Sequence, residues 1–263
     1  MIRDARMKTL FAVISLSGCA VSSVDSSTSS ALTAADTVHT GAGALVTRRA
    51  DGSLRQLCSG ALVAPTVFVT AGHCTDAANA SGQPIFVTFD QKVIASSAVV
   101  AGTAITSPDF NPSAYNINSD MHDVGVVLLA EAQSRPVYAL PRQGLFAPGA
   151  VQPGAKITAV GYGVDQIGES GNPGESYVND KTRDYGTLKF RAATSWLLAD
   201  QVFADGACFG DSGGPDFMTF NGQEHLVAIN SVVNGYDCNE VAWLYRLDGD
   251  ATRAFLAQYT SLP

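Results

Sequence analysis

Three side chains in this sequence form a set that could do chemistry together. They are His73 in Thr70-Ala71-Gly72-His73-Cys74, Asp123 in His122-Asp123-Val124-Gly125-Val126-Val127-Leu128-Leu129, and Ser212 in Cys208-Phe209-Gly210-Asp211-Ser212-Gly213-Gly214-Pro215. A serine hydroxyl is a poor nucleophile unless a neighbouring base takes its proton, and that base must be held in one tautomer by an acceptor. A histidine, a carboxylate and a serine supply those three groups. The glycines around Ser212 let the backbone turn sharply and expose its N–H groups. Those of Gly210 and Ser212 could then hold an oxyanion, worth about 3–4 kcal/mol per donor in well-studied hydrolases. Asp120 and His122 lie close to Asp123, but Asp123 directly precedes the apolar run that would fix its position. Metal chemistry finds no comparable pattern. The 4 histidines are scattered without an H-E-x-x-H pair, and the acidic stretch Val164 to Tyr185 has no recognisable ligand spacing, so neither metal nor cofactor is expected.

The elements that must position these groups read as strands. Short apolar runs recur between turn signals: Gly43 to Thr47, Ser59 to Val63, Val67 to Thr70, Ile85 to Phe89, Val124 to Leu129, Ile157 to Val160 and Leu226 to Val233. They are rich in Val, Ile and Phe, bounded by Gly, Pro, Asn or Asp, and not interleaved with long amphipathic helices. That argues for an antiparallel barrel or sandwich rather than a parallel sheet. Only the tail looks helical, with Ala251, Phe255 and Tyr259 on one stripe. Val164 to Tyr185, rich in Gly, Asp, Glu and Asn, reads as a long exposed loop. The chain of 263 residues carries a net charge of −8, which disfavours nucleic acid as a partner. No apolar run approaches the roughly 18–20 residues of a spanning helix.

The first residues read as an export signal: Arg3, Arg6 and Lys8, then the apolar Leu10 to Leu16, then small residues. Leu16-Ser17-Gly18-Cys19 resembles the lipobox of bacterial lipoproteins, which implies cleavage after residue 18, lipidation of Cys19 and attachment to a membrane surface. An ordinary cleaved secretory signal is the alternative. Residues 19–37 are dominated by Ser, Thr and Ala and are expected to form a flexible tether. Lipidation would also account for the odd member of the 5 cysteines. The remaining four allow three pairings, of which the local one joins Cys58 to Cys74 and Cys208 to Cys238. Each bridge would contribute roughly 3 kcal/mol by loop-closure entropy.

Taken together, the T-A-G-H-C, D-V-G-V-V-L-L and G-D-S-G-G-P segments resemble those of the chymotrypsin/trypsin-type serine endopeptidases. The match runs from about Gly41 to Tyr259 and includes Cys58-Ser59-Gly60 and Gly161-Tyr162-Gly163. The resemblance implies an all-β fold of two six-stranded antiparallel β-barrels with the site between them, closed by a C-terminal helix. Within a peptidase domain of 38–263, barrel 1 would fall at about 41–135, barrel 2 at about 150–248 and the helix at about 250–259. It implies an acyl-enzyme on Ser212, His73 as base then acid, Asp123 as its orienting acceptor, and protein or peptide substrates. Gly210-Asp211-Ser212-Gly213-Gly214 also fits the nucleophile elbow G-x-S-x-G, but that fold needs alternating helices and a later histidine. Only His225 follows Ser212.

The sequence departs from the family's pattern in two places. Members usually bear a free Ile or Val N-terminus whose amine pairs with the Asp before the catalytic serine. Asp211 is present, but Val38-His39-Thr40-Gly41 matches I-V-G-G poorly, and no Lys or Arg lies between Lys8 and Arg48. Some other group is therefore expected to satisfy Asp211, with no trypsin-type activation step. At the specificity pocket, Gly206 stands where trypsin-like members carry Asp, Ser231 lies on the substrate-pairing strand, and Val233 replaces a frequent Gly. These three predict cleavage after small or medium apolar residues. A catalytically silent binding or adhesion module on the cell surface is the alternative from another class.

Overall fold

The computed structural model describes residues 31–167, 177–201, 206–235 and 237–263. After a short strand β1 (Ala34–Ala35) come β2 (Ala42–Arg48), β3 (Leu54–Ala64), β4 (Val67–Thr70), helix α1 (Gly72–Ser81), β5 (Ile85–Thr88), β6 (Val100–Thr106) and β7 (Gly125–Leu129). The second half holds β8 (Lys156–Gly161), β9 (Gln166–Ile167), β10 (Tyr177–Val178), β11 (Asp184–Ala193), β12 (Trp196–Asp200), β13 (Pro215–Phe220), β14 (Gln223–Val233), β15 (Val241–Arg246) and helix α2 (Asp250–Leu256). Strands β2-β3-β4-β7-β6-β5 close into one antiparallel barrel. Strands β8-β13-β14-β15-β12-β11 close into a second, the ring completed by β11 against β8. The β9–β10 pair is a separate hairpin. This is the chymotrypsin-like fold expected from the sequence.

The apolar runs behave as their composition requires. Phe68, Val69, Val126 and Val127 are fully buried in β4 and β7, whose pairing Thr70↔Gly125 brings the residues after β4 and before β7 to one end of the barrel. The largest cluster of buried side chains spans both barrels, from Leu45 and Phe68 to Trp196, Phe217 and Ile229. Both disulfides join the expected partners: Cys58 with Cys74, and Cys208 with Cys238.

Four expectations need correction. Helix α1, which the sequence does not announce, follows β4 directly. It has no capping side chain and shows only Cys74, Thr75 and Ala78 to the core beyond its first residue, so its pattern is faint. The tail helix buries Thr252, Phe255 and Leu256, while Ala251 faces solvent. The tether over 19–37 ends earlier than expected. Ala31 and Leu32 are buried, β1 pairs with β11, and Asp36 is 2% exposed. Finally, Val164 to Tyr185 is not simply an exposed loop, because Val164, Arg183 and Asp184 are buried. Arg183 explains the last two corrections at once. Its guanidinium donates to Asp36 Oδ2 at 2.9 Å and to the Asp36 carbonyl at 3.2 Å, pinning the N-terminal segment. The Cys19 expectation and the export signal lie outside the described residues. Among the described residues, no helix is long and apolar enough to cross a membrane.

Candidate active site

His73 is the second residue of α1, and its placement follows from a lack of space around Gly72. A Cβ there would lie 3.0 Å from the Val124 backbone nitrogen and 3.2 Å from Asp123 Oδ1, so glycine lets α1 start against the residues that precede β7. Asp123 is 0% exposed. Its Oδ1 accepts the His73 backbone N–H at 2.7 Å, and its Oδ2 lies 2.9 Å from His73 Nδ1. The Ser231 hydroxyl donates to the same Oδ2. The turn that delivers Asp123 is built by its two neighbours. His122 takes a left-handed φ of 51°, and its N–H donates to Asp120 Oδ1 at 2.8 Å. Tyr245 Oη donates to that Asp120 oxygen at 2.9 Å.

Electrostatics at this pair run in opposite directions. Burial alone would push the His73 imidazolium toward losing its proton, but the Asp123 charge and hydrogen bond outweigh it and hold the ring's pKa above its ordinary value. Burial alone would raise the Asp123 carboxyl; the charge of His73 and hydrogen bonds from His73 and Ser231 outweigh it and hold the carboxyl low.

The serine lies on the loop before β13, seated against the first barrel by backbone hydrogen bonds. The Ser212 carbonyl accepts the Ser59 N–H at 2.8 Å and lies 3.8 Å from Cys74 Sγ, next in sequence to His73. Gly213 has φ of +78°, and a Cβ there would come within 2.1 Å of Thr70 Oγ1, so the loop tolerates only glycine at that point. Gly210 has φ of +97°, and its carbonyl accepts from Gln56 Nε2 at 3.0 Å and Ser59 Oγ at 3.1 Å. With that carbonyl held away, the Gly210 and Ser212 N–H groups donate to no other described residue. Nor does a hydrogen bond join the Ser212 hydroxyl to the His73 ring among the described residues, as is common in the free form of such sites.

Asp211 is 1% exposed and packs against Gly161 and Gly163, where an added Cβ would meet its carboxylate. Its Oδ1 accepts the Gly163 N–H at 2.8 Å and its Oδ2 the Cys208 N–H at 2.9 Å. Burial pushes this carboxyl up to about 7; the two amides pull it down, and the charges of Asp165 and Asp184 push it further up. Backbone amides, not a cation, are its partners among the described residues. Val38 is elsewhere: 75% exposed, with its N–H donating to Asp36 Oδ1 at 3.2 Å.

Beside Ser212 is a cleft of about 200 Å³ whose lining includes Ser231, Val233, Ala207, Phe209, Tyr115 and Val232. Of the three pocket residues expected from the sequence, Ser231 and Val233 line this cleft. Gly206 does not, being packed so closely on Gln201 that a Cβ would meet that side chain at 2.7 Å. The Ser231 hydroxyl is turned to Asp123 rather than toward the cleft. Tyr115 gives no signal in the sequence because it comes from the polar stretch before Asp123. It stacks on Trp243 with ring centroids 5.6 Å apart.

A family model described as Trypsin matches residues 33–243. Among individual proteins, the chain is similar to proproteinase E of Bos taurus, 24% identical over 201 residues that cover 73% of this chain and 78% of that protein.

Proposed function

The chain belongs to the trypsin family, and from that premise we propose that it is an active serine endopeptidase cleaving protein or peptide substrates through an acyl-enzyme on Ser212. The observation that carries this reading is the double hold of Asp123 on His73, at 2.7 Å to the backbone N–H and 2.9 Å to Nδ1. A ring held this way keeps its proton on Nδ1 and offers Nε2 as a base. Ser212 Oγ attacks the substrate carbonyl as its proton passes to His73 Nε2. The resulting imidazolium is stabilised by Asp123 and then protonates the leaving amine. Water repeats the sequence to release the acid. The N–H groups of Gly210 and Ser212 hold the oxyanion, a role supported by their donating to no other described residue. This division of labour is the general mechanism of the trypsin family, applied to the residues of this chain.

The cleft supports cleavage after small or medium apolar residues, since Val233, Ala207 and Phe209 offer it apolar walls and no charged side chain lines it among the described residues. Two disulfides fit an oxidising compartment, consistent with export. Residues 1–18 as export signal, with lipid attachment at Cys19, complete the proposal for location. Labelling with a fluorophosphonate probe tests the central reading. Stoichiometric modification that disappears in Ser212→Ala is expected; an unlabelled, folded protein would instead be a silent binding module. A fluorogenic peptide panel tests the pocket, where a preference for Arg would overturn the apolar assignment.

A further inference from the structure

We propose that Asp165, Asp180 and Asp184 form a binding site for a hard divalent cation, calcium by its chemistry, at the base of the β9–β10 hairpin. Asp165 precedes β9, Asp180 follows β10 and Asp184 opens β11, so the fold gathers three carboxylates that the sequence spreads out. One oxygen from each lies within 4.8 Å of the others.

Asp184 is the observation that asks for a ligand. It is only 7% exposed, and its carboxylate accepts no hydrogen bond from any described residue. A buried carboxylate without donors is costly, and facing two more carboxylates makes it costlier. Burial and the charges of Asp165 and Asp180 push it up to about 6. Its companions are provided for. Asp180 accepts from the Thr182 N–H at 2.8 Å and from Lys92 Nζ at 2.7 Å, and Asp165 Oδ2 accepts the Asp180 N–H at 2.6 Å. Lys92 is 51% exposed and bonded to Asp180, so its single ammonium offsets only part of the negative charge gathered at Asp184. An all-carboxylate donor set suits calcium, which takes roughly 6–8 oxygens and accepts water for the remainder, better than it suits zinc.

The site's neighbours give it a consequence. The Val164 N–H donates to the Phe209 carbonyl at 2.9 Å, the Gly163 N–H to Asp211 at 2.8 Å, and Asn179 Nδ2 to the Tyr162 carbonyl at 3.1 Å. A cation at the three aspartates therefore braces the hairpin against the loop carrying Gly210 and Asp211. It also cancels the negative field that Asp165 and Asp184 impose on Asp211. In a chain that lacks the family's N-terminal Ile-Val-Gly-Gly, this is a substitute means of holding that loop. The effect on turnover rests on the peptidase reading; cation binding does not.

Calorimetric titration of calcium chloride into the protein, paired with thermal melts in calcium and in chelator, tests the site. One-to-one binding with a Kd on the order of 10⁻⁴–10⁻³ M and a calcium-dependent rise in Tm are expected. Asp184→Asn and Asp165→Asn should each weaken binding by about tenfold or more. Without calcium, Asp184→Asn should melt above the wild type, because it removes one of three mutually repelling carboxylates. Absence of both heat and Tm shift in the wild type overturns the site, and so does undiminished binding in both variants. If Asp184→Asn does not fold, the wild-type titration and Asp165→Asn decide. Fluorophosphonate labelling of the same samples keeps the two readings apart. Binding without labelling keeps the site and removes the peptidase, whereas labelling without binding does the reverse.

Discussion

The Asp123 carboxylate grips His73 at two points, taking its backbone N–H at 2.7 Å and its ring Nδ1 at 2.9 Å. The backbone contact fixes where α1 begins, and the ring contact fixes the tautomer. Asp123→Asn can preserve the first contact but turns a donor toward Nδ1 or reverses the tautomer. Turnover of a peptide substrate should therefore fall by about 10⁴-fold, the scale known for the same change in this family's triad. Ser212→Ala should cost about 10⁶-fold. A variant Asp123→Asn with near wild-type kcat would remove Asp123 from the mechanism.

If the proposed mechanism holds, Ser231 should act on substrate turnover through Asp123. Its hydroxyl donates to the Asp123 oxygen that faces the ring, so Ser231→Ala leaves a buried carboxylate with one donor fewer. Hydrogen bonds to charged groups contribute about 1.5–3 kcal/mol. The carboxyl's pKa should rise and kcat should drop roughly tenfold or more, with KM little changed. Steady-state kinetics across pH check this. A change in KM alone would return Ser231 to a substrate-contact role.

Stability should decline from mildly acidic toward alkaline pH. The Asp211 carboxyl is held up to about 7, and Asp216, 0% exposed with neither oxygen hydrogen-bonded, is held well above its ordinary value by burial. Between the ordinary carboxyl range and pH 7 the unfolded chain has released protons that the native state keeps, so unfolding becomes easier as pH rises. For Asp211 the difference amounts to about 4 kcal/mol at 1.36 kcal/mol per pKa unit. His39 acts in the same direction. Burial lowers its pKa, but the charges and hydrogen bonds of Asp36 and Glu224 outweigh that and raise it. Its contribution is complete below about 6.5 and is lost as pH rises through the raised value. Tm should be higher near pH 5 than at pH 8, and Asp211→Asn should narrow that gap. A flat profile would contradict the protonation of Asp211 in the native state.

Local signals carried most of the site. Each of the three motif segments is contiguous, and two of them place their candidate residue beside a strand whose apolar run is visible in the sequence: His73 after Val67 to Thr70, and Asp123 ahead of Val124 to Leu129. The strand after Ser212, Pro215–Phe220, shows no such run. What stayed hidden depends on partners far along the chain. Arg183 sits among Gly, Asp and Asn and looks solvated until Asp36, Phe89 and Tyr162 are folded around it. Ala31 and Leu32 are two small apolar positions after a serine-rich run, too few to set a pattern. Tyr115 reaches the cleft only because the segment before Asp123 folds back toward Trp243. The Asp165, Asp180 and Asp184 grouping exists only once the hairpin closes.

Arg183 ties three parts of the molecule together, and replacing it should be the most damaging of the non-catalytic changes. Its Nη1 donates to the Phe89 carbonyl of the first barrel at 3.2 Å and to Tyr162 Oη at 3.2 Å, its Nη2 to Gln91 Oε1 at 2.9 Å, and its Nε to Asp36 of the N-terminal segment at 2.9 Å. The Asp36 pair is fully internal, with side chains 3% and 2% exposed. Removing one member of such a pair leaves the other charge buried alone, at a cost of about 3–5 kcal/mol. A lysine keeps the charge but has one donor centre where the fork of a guanidinium reaches four partners, so Arg183→Lys should recover only part of the loss. Denaturant unfolding of Arg183→Met, Arg183→Lys and the double variant with Asp36→Asn measures this. The double variant should be less destabilised than the sum of the single ones, since the stranded carboxylate is gone. Strict additivity would mean that Asp36 and Arg183 do not support one another, and that residues 31–40 are held to the barrels by packing and the β1–β11 pairing.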